Sequence, residues 1–133
     1  SAAEAPHFSD EMVGRYNKTR RSYPVIALTA AAAVLTCIGN DFGFEEIFAR
    51  QVEAYGQPGD VFIGLSTSGN SKNVLRAARV AKERQMRVLA LTAPQGELRH
   101  LADVSIESPS TITARIQEVH LHVIHLLSEH FEP

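Results

Sequence analysis

The segment Asp60-Val61-Phe62-Ile63-Gly64-Leu65 constrains the fold most. It is a short apolar run bounded by the breakers Gly56, Pro58 and Gly59, the pattern of a strand buried on both faces. A polar loop, Ser66 to Ser71, carries it into a stretch from Lys72 to Gln85 where Val74, Ala77, Ala78 and Ala81 form a helical stripe. A second strand, Arg87 to Leu91, follows. A third and shorter one, Ala102 to Ile106, comes after a turn around Pro94 to Gly96. Strand and helix in alternation imply right-handed parallel crossovers, hence an open three-layer α/β sheet covered on both faces. Ligands of such sheets sit beyond the C-terminal strand ends. Val25-Ile26-Ala27-Leu28, after Pro24, reads as a further buried strand. Helices are expected over His7 to Tyr16, from Glu45 through Tyr55, and from Ala114 to Phe131, with a turn at Asp41 to Gly43. The length suits one domain over residues 1–133, without repeat or linker.

Composition narrows the class of function. The net charge is −2 and no basic stripe runs along any expected helix, so nucleic-acid binding is not expected. The longest apolar run, Pro24 to Ala33 with Thr29 inside it, is too short to cross a bilayer. The residues from Ser1 onward lack the basic start and apolar run of a secretory leader. The single cysteine, Cys37, excludes an internal disulfide and fits a reducing compartment, so a cytoplasmic location is expected. Its apolar neighbours Leu35 and Ile38 predict a small buried side chain.

The loop Ser66-Thr67-Ser68-Gly69-Asn70-Ser71 places four hydroxyls and a flexible glycine between a buried strand and a helix N-terminus. Helix N-termini offer unpaired N–H groups and partial positive charge, and hydroxyls add neutral donors. This points to a phosphate monoester. The alternative is a polar turn with Ser71 as a helix cap. No Gly-Lys-Ser/Thr signature is present, so a nucleoside triphosphate is not expected.

His7 and Glu11 are four residues apart and share a helical face, an arrangement also common on surface helices. The C-terminal helix carries Gln117, His120, His122, His125 and His130. Gln117 and His125 lie roughly 80° apart around its axis, with His120 about 60° to the other side of Gln117. Leu121 and Ile124 make that face the buried one, whereas His122 and His130 point to solvent. Polar groups on a buried face need partners and can be satisfied core groups or a site. Imidazole, carboxylate and amide oxygen can bind a divalent ion such as zinc, or move protons as acids and bases. Spacing does not separate the two.

Taken together, Ser1-Ala2-Ala3-Glu4-Ala5-Pro6-His7-Phe8, Ile38-Gly39-Asn40-Asp41-Phe42-Gly43-Phe44, Pro58-Gly59-Asp60-Val61, the serine loop and Ala114-Arg115-Ile116-Gln117-Glu118-Val119-His120 resemble the phosphoheptose isomerases of the SIS class. The resemblance implies a flavodoxin-like parallel sheet, a homotetramer with active sites at subunit boundaries, and isomerisation of sedoheptulose 7-phosphate to D-glycero-D-manno-heptose 7-phosphate for lipopolysaccharide heptose. By motif position, His7, Glu11, Gln117 and His125 match the family's metal site, usually zinc, and Glu11 and His125 its acid/base pair. Ser66, Thr67, Ser68 and Ser71 match its phosphate loop; Ser1, Arg15, Asp41 and Gln117 match positions near the substrate.

Three departures stand out. The family's upstream helices, first strand and Gly-rich turn have no counterpart before Ser1, so N-terminal elements are expected to be missing and the 133 residues are not expected to form a stable active monomer alone. Ala30 to Ala33 replaces a stretch with Asp and Ser, and Gln95-Gly96-Glu97 replaces a Gly-Gly pair. Related SIS proteins include a non-catalytic scaffold that binds the replication initiator protein, and a sugar-phosphate sensing module is a third reading. The presence of both Glu11 and His125 favours the enzyme.

Overall fold

The computed structural model describes residues 1–133. Its elements are α1 (Glu4–Val13), α2 (Ala32–Phe42), α3 (Ala49–Tyr55), β1 (Val61–Ser66), α4 (Lys72–Glu83), β2 (Arg87–Thr92), α5 (Leu98–Leu101), β3 (Val104–Glu107) and α6 (Thr113–His130). The strands form one parallel sheet in the order β1-β2-β3, with Phe62 opposite Val88 and Leu89 opposite Val104.

Strand periodicity sends alternate side chains to opposite faces. Phe62, Val88 and Ala90 meet Ala49 and Val52 of α3, Leu98 of α5 and the inner face of α4, Val74, Ala77, Ala78 and Ala81. The alanines of α4 are fully buried, and their size lets the helix lie close to the sheet. The other face of the sheet carries a smaller cluster: Leu91 of β2, Phe8 and Met12 of α1, and Ile124 of α6. The three-layer α/β arrangement expected from the sequence is therefore present. No helix is long and apolar enough to cross a membrane.

Several local expectations fail. The helix expected from Glu45 starts as a single 3-10 turn, Phe44–Glu46, before α3 begins at Ala49, and α1 ends at Val13, short of Tyr16. Val25 to Leu28 is not a strand. It has no neighbouring strand, and the carbonyls of Val25 and Leu28 accept side-chain hydrogen bonds from Ser9 Oγ (2.9 Å) and Gln51 Nε2 (2.9 Å). Its apolar character serves packing instead, Val25 against the smaller cluster and Leu28 against the larger. Asp41 and Phe42 belong to α2, and the turn begins two residues later than expected, at Gly43, whose φ of +97° suits a residue without Cβ. Cys37 is exposed, because α2 fully buries only Ile38 and Cys37 faces outward with Asp41. Leu121 is exposed, because the inner face of α6 follows the row Ile116, His120, Ile124, Ser128. His122 and His130 are exposed as expected.

Leu91 is the sheet's fully buried contribution to the cluster that seats α1 and α6, with Ile63, Leu65 and Ile106 partly buried around it. Leu91→Ala should lower the unfolding free energy by about 2–5 kcal/mol, the cost of a large-to-small core change. Urea denaturation measures it; a loss below about 1 kcal/mol would show that Leu91 does not anchor the two helices.

Candidate active site

Two groups of polar side chains gather at the helices and at the C-terminal strand ends. The first spans α1 and α6. Phe8 and Met12 anchor α1, and the residues just before them, His7 and Glu11, fall at the edge of the buried face. Ile124 anchors α6 and His125 follows it. His7 Nε2 lies 2.9 Å from His125 Nε2 and 3.4 Å from Glu11 Oε1. One nitrogen atom from each ring and a carboxylate oxygen lie within 4.8 Å of one another. The site is open on the His7 side: His7 is 40% exposed and Glu11 18%.

Donors around a tetrahedral ion with bonds of about 2.0–2.1 Å stand about 3.3–3.4 Å apart. The His7–Glu11 spacing fits that figure, and the two facing imidazole nitrogens need only a small separation. Two imidazoles and one carboxylate also form a common donor set for zinc. The residues thus fit a divalent ion, and the spacing of Glu11 and both rings suits proton transfer equally. Gln117 lies on α6 about two turns before His125 and is half-buried.

Local contacts hold this group in place. Tyr16 stacks on His125, with ring centroids 5.5 Å apart and planes at 28°. The Arg20 guanidinium donates to the carbonyls of Glu11 (2.6 Å), Met12 (2.9 Å) and Gly14 (3.3 Å), satisfying the end of α1. Neither Tyr16 nor Arg20 was legible as a site residue, since each acts from beyond the helix it serves.

The second group is the loop after β1. Ser66 Oγ lies 2.9 Å from Ser71 Oγ and 3.5 Å from Ser68 Oγ, and accepts from Gly69 N at 3.1 Å. Ser71 makes no capping bond to α4, so its hydroxyl turns toward the loop. Three hydroxyls therefore converge at the N-terminus of a twelve-residue helix, with Thr67 half-buried beside them.

Two glycines shape the loop. Gly69 has φ +68°, and a Cβ there would lie 2.5 Å from the Gln95 carbonyl oxygen and 2.9 Å from Thr92 Oγ1. Gly96 has φ +90°, and a Cβ there would lie 2.5 Å from the Ser68 carbonyl oxygen. Leu98 N donates to the Gly69 carbonyl (2.9 Å), and Glu97 N to Asn70 Oδ1 (3.0 Å). The turn after β2 thus clamps the loop after β1, and Gly96 supplies the close approach.

Of the remaining expected residues, Ser1 is half-buried and its carbonyl accepts from Glu4 N (3.0 Å). Arg15 is exposed in the loop after α1. Asp41 is exposed, and its carboxylate accepts from its own neighbours Asn40 Nδ2 (2.9 Å) and Cys37 Sγ (3.8 Å). No hydrogen bond ties Arg15 or Asp41 to either group.

His120, by contrast, is fully buried between the two groups. Its Nε2 lies 3.4 Å from the Thr92 carbonyl oxygen and its Nδ1 3.9 Å from Glu4 Oε2. Burial pushes the Glu4 carboxyl up and the His120 imidazole down from their ordinary pKa values. The sequence put His120 on a buried face; its partner Glu4, three residues before His7, had no signal beyond that spacing.

The SIS domain family matches residues 1–93. A phosphoheptose isomerase from a Nitratiruptor species is 52% identical over 128 residues, covering 96% of this chain and 68% of that protein. The chain belongs to the phosphoheptose isomerase family. A second member, from Haemophilus ducreyi, is 51% identical over 129 residues, covering 96% of this chain and 66% of that one. The structure of a phosphoheptose isomerase from Neisseria gonorrhoeae superposes with a TM-score of 0.89 at 44% identity, and one from Francisella tularensis with 0.92 at 36%. Each covers 96% of this chain and is itself covered to 68% and 69%. The chain thus spans about two thirds of the length of the family members it matches.

Two predictions follow from this geometry. Gly96→Ala should cost about 1–3 kcal/mol through its positive φ, and should weaken binding of inorganic phosphate by pressing on the Ser68 carbonyl. Unfolding and phosphate titration by NMR test both effects; unchanged phosphate binding would separate the turn from the loop. The second concerns pH. A carboxyl with a raised folded pKa contributes stability that is complete below its unfolded value, about 4.3, and is lost as pH rises through the folded value. The difference in melting temperature between the unmodified protein and Glu4→Gln should therefore fall as pH is raised from 4 to 7. A constant difference would mean that Glu4 titrates as in the unfolded chain.

Proposed function

We propose that this chain carries the active-site residues of an aldose-ketose isomerase that converts sedoheptulose 7-phosphate to D-glycero-D-manno-heptose 7-phosphate, supplying heptose for lipopolysaccharide. The observation that carries the reading is the convergence of His7, Glu11 and His125 in a member of the phosphoheptose isomerase family.

The reaction moves a carbonyl from C2 to C1. Glu11 is the base: it takes a proton from C1 and returns it to C2. His125 is the acid: it gives a proton to the C2 oxygen as the enediol forms, and recovers one from the C1 hydroxyl as the aldehyde forms. Protons and electrons balance without a redox partner. His7, Glu11, Gln117 and His125 would hold a divalent metal, zinc by donor type. When bound, that ion supplies charge stabilisation at the substrate oxygens.

At the far end, the hydroxyls of Ser66, Thr67, Ser68 and Ser71 hold the phosphate at the N-terminus of α4, which fixes the reacting end in place. Ser1, Arg15, Asp41 and Gln117 contact the sugar between the two. Arg15 and Asp41 make no bond to either group here, which accords with their facing a shared boundary in a homotetramer. Residues 1–133 act as one SIS domain, and the enzyme works in the cytoplasm on a small sugar phosphate, without nucleic acid or membrane.

Glu11→Gln keeps the size of the side chain and removes the base. Turnover of sedoheptulose 7-phosphate, followed by detection of the aldose, should fall by about 10²–10⁴-fold, with phosphate-ligand binding retained. Near-normal turnover in the purified variant would exclude Glu11 as the base.

A further inference from the structure

Glu4 and His120 form a buried polar pair that the chemistry above does not use. Glu4 lies one turn before His7 on α1, and His120 one turn after Gln117 on α6. His120 is fully buried and the Glu4 side chain is 13% exposed. Glu4 Oε2 and His120 Nδ1 are both sealed from solvent, and neither has a hydrogen-bond partner. They stand 3.9 Å apart, about 1 Å beyond hydrogen-bond length. No other oppositely charged group lies within ion-pair distance of either.

Unpaired buried polar atoms are costly, so a native structure seldom leaves two of them facing each other. We propose that Glu4 is a positioning residue: its carboxyl is protonated in the folded protein and donates a hydrogen bond to Nδ1 of His120. This bond ties α1 to α6 and sets the spacing of His7 and Glu11 against His125. Tautomer chemistry supports the assignment. When Nε2–H donates to the Thr92 carbonyl, Nδ1 of a neutral ring is left as an acceptor. An ionised Glu4 would present a lone pair to that lone pair. A fully ionic pair would need two charges sealed in the interior with few other partners. Burial is the largest influence on both groups and favours the neutral acid and the neutral ring; the Ser1 ammonium works against it at Glu4 and with it at His120. Rotation about the Glu4 side-chain bonds closes the remaining gap.

Glu4 acts through helix placement and touches no substrate in this assignment. The activity readout rests on the isomerase reading; the others do not. Two variants in the full chain separate the alternatives. Glu4→Gln keeps a donor in the same place, and Glu4→Met keeps the length and removes it. Zinc affinity by competition with a coloured chelator, kcat and KM for sedoheptulose 7-phosphate, and ¹⁵N NMR of the His120 ring are measured for each. Glu4→Gln should stay within about threefold of the unmodified protein, whereas Glu4→Met should lose about 10–100-fold in zinc affinity or kcat, with KM less affected. The His120 ring should be neutral with its proton on Nε2 at pH 7. Equal damage from both variants, or an imidazolium at pH 7, would overturn proton sharing. Glu4→Met indistinguishable from the unmodified protein would overturn the positioning role. If Glu4→Met does not fold, the ring tautomer of the unmodified protein and the behaviour of Glu4→Gln still decide. If the unmodified protein leaves the sugar unchanged, the isomerase reading fails, while zinc affinity and the ring spectrum still judge Glu4.

Discussion

The packing of α1 and α6 on Leu91 is the contact on which the polar chemistry depends. Phe8 and Met12 from one helix and Ile124 from the other share a small apolar cluster with that leucine. Each functional group is the immediate sequence neighbour of an anchor: His7 beside Phe8, Glu11 beside Met12, His125 beside Ile124. A step of one residue turns a side chain by about 100° around the helix. Burying the anchors therefore puts the imidazoles and the carboxylate at the rim of the interface, where they meet without being sealed off. Two rings 118 residues apart in the chain come within 2.9 Å in this way.

The two polar groups share one structural element, the C-terminal end of β2. Thr92 is fully buried there. Its carbonyl faces His120 on the α6 side, and its hydroxyl lies close under Gly69 of the serine loop. The loop after β1 then leans on the turn after β2 through Gly69 and Gly96, with no room for a Cβ at either. Parallel pairing of β1 with β2 sets this distance, because Ser66 and Thr92 are paired across the ladder. The serine loop and the His7–Glu11–His125 group are thereby held at fixed separation by the sheet, although neither contributes much to the core itself.

The misread segments share a cause. Val25 to Leu28 has the composition of a buried strand, yet strand identity depends on a partner, and side chains from Ser9 and Gln51 occupy its carbonyls instead. Cys37 and Leu121 have apolar neighbours, but each lies off the line along which its helix meets the rest of the protein. Burial on a helix depends on where the helix docks, and a sequence window reports the apolar stripe without its exact bearing. The pairing of Glu4 with His120 was hidden for the same reason, since it joins residues from opposite ends of the chain.

By itself the sequence determined the three parallel strands, the helices α1, α4 and α6, and the residue types of both polar groups; α2 and α5 had no such signal. These follow from periodicity and from breakers acting over a few residues, which local physics specifies. It also determined which side chains border the anchors and so which could face one another. Tertiary structure alone decided how closely His7, Glu11 and His125, grouped by the family resemblance, approach one another, that Gly96 clamps the serine loop, that Arg20 ends α1, and that Glu4 faces His120. Each of these joins elements distant in the chain or lying beyond a helix end. Their distances are set by how apolar faces dock on a common sheet, a collective property that no local pattern carries.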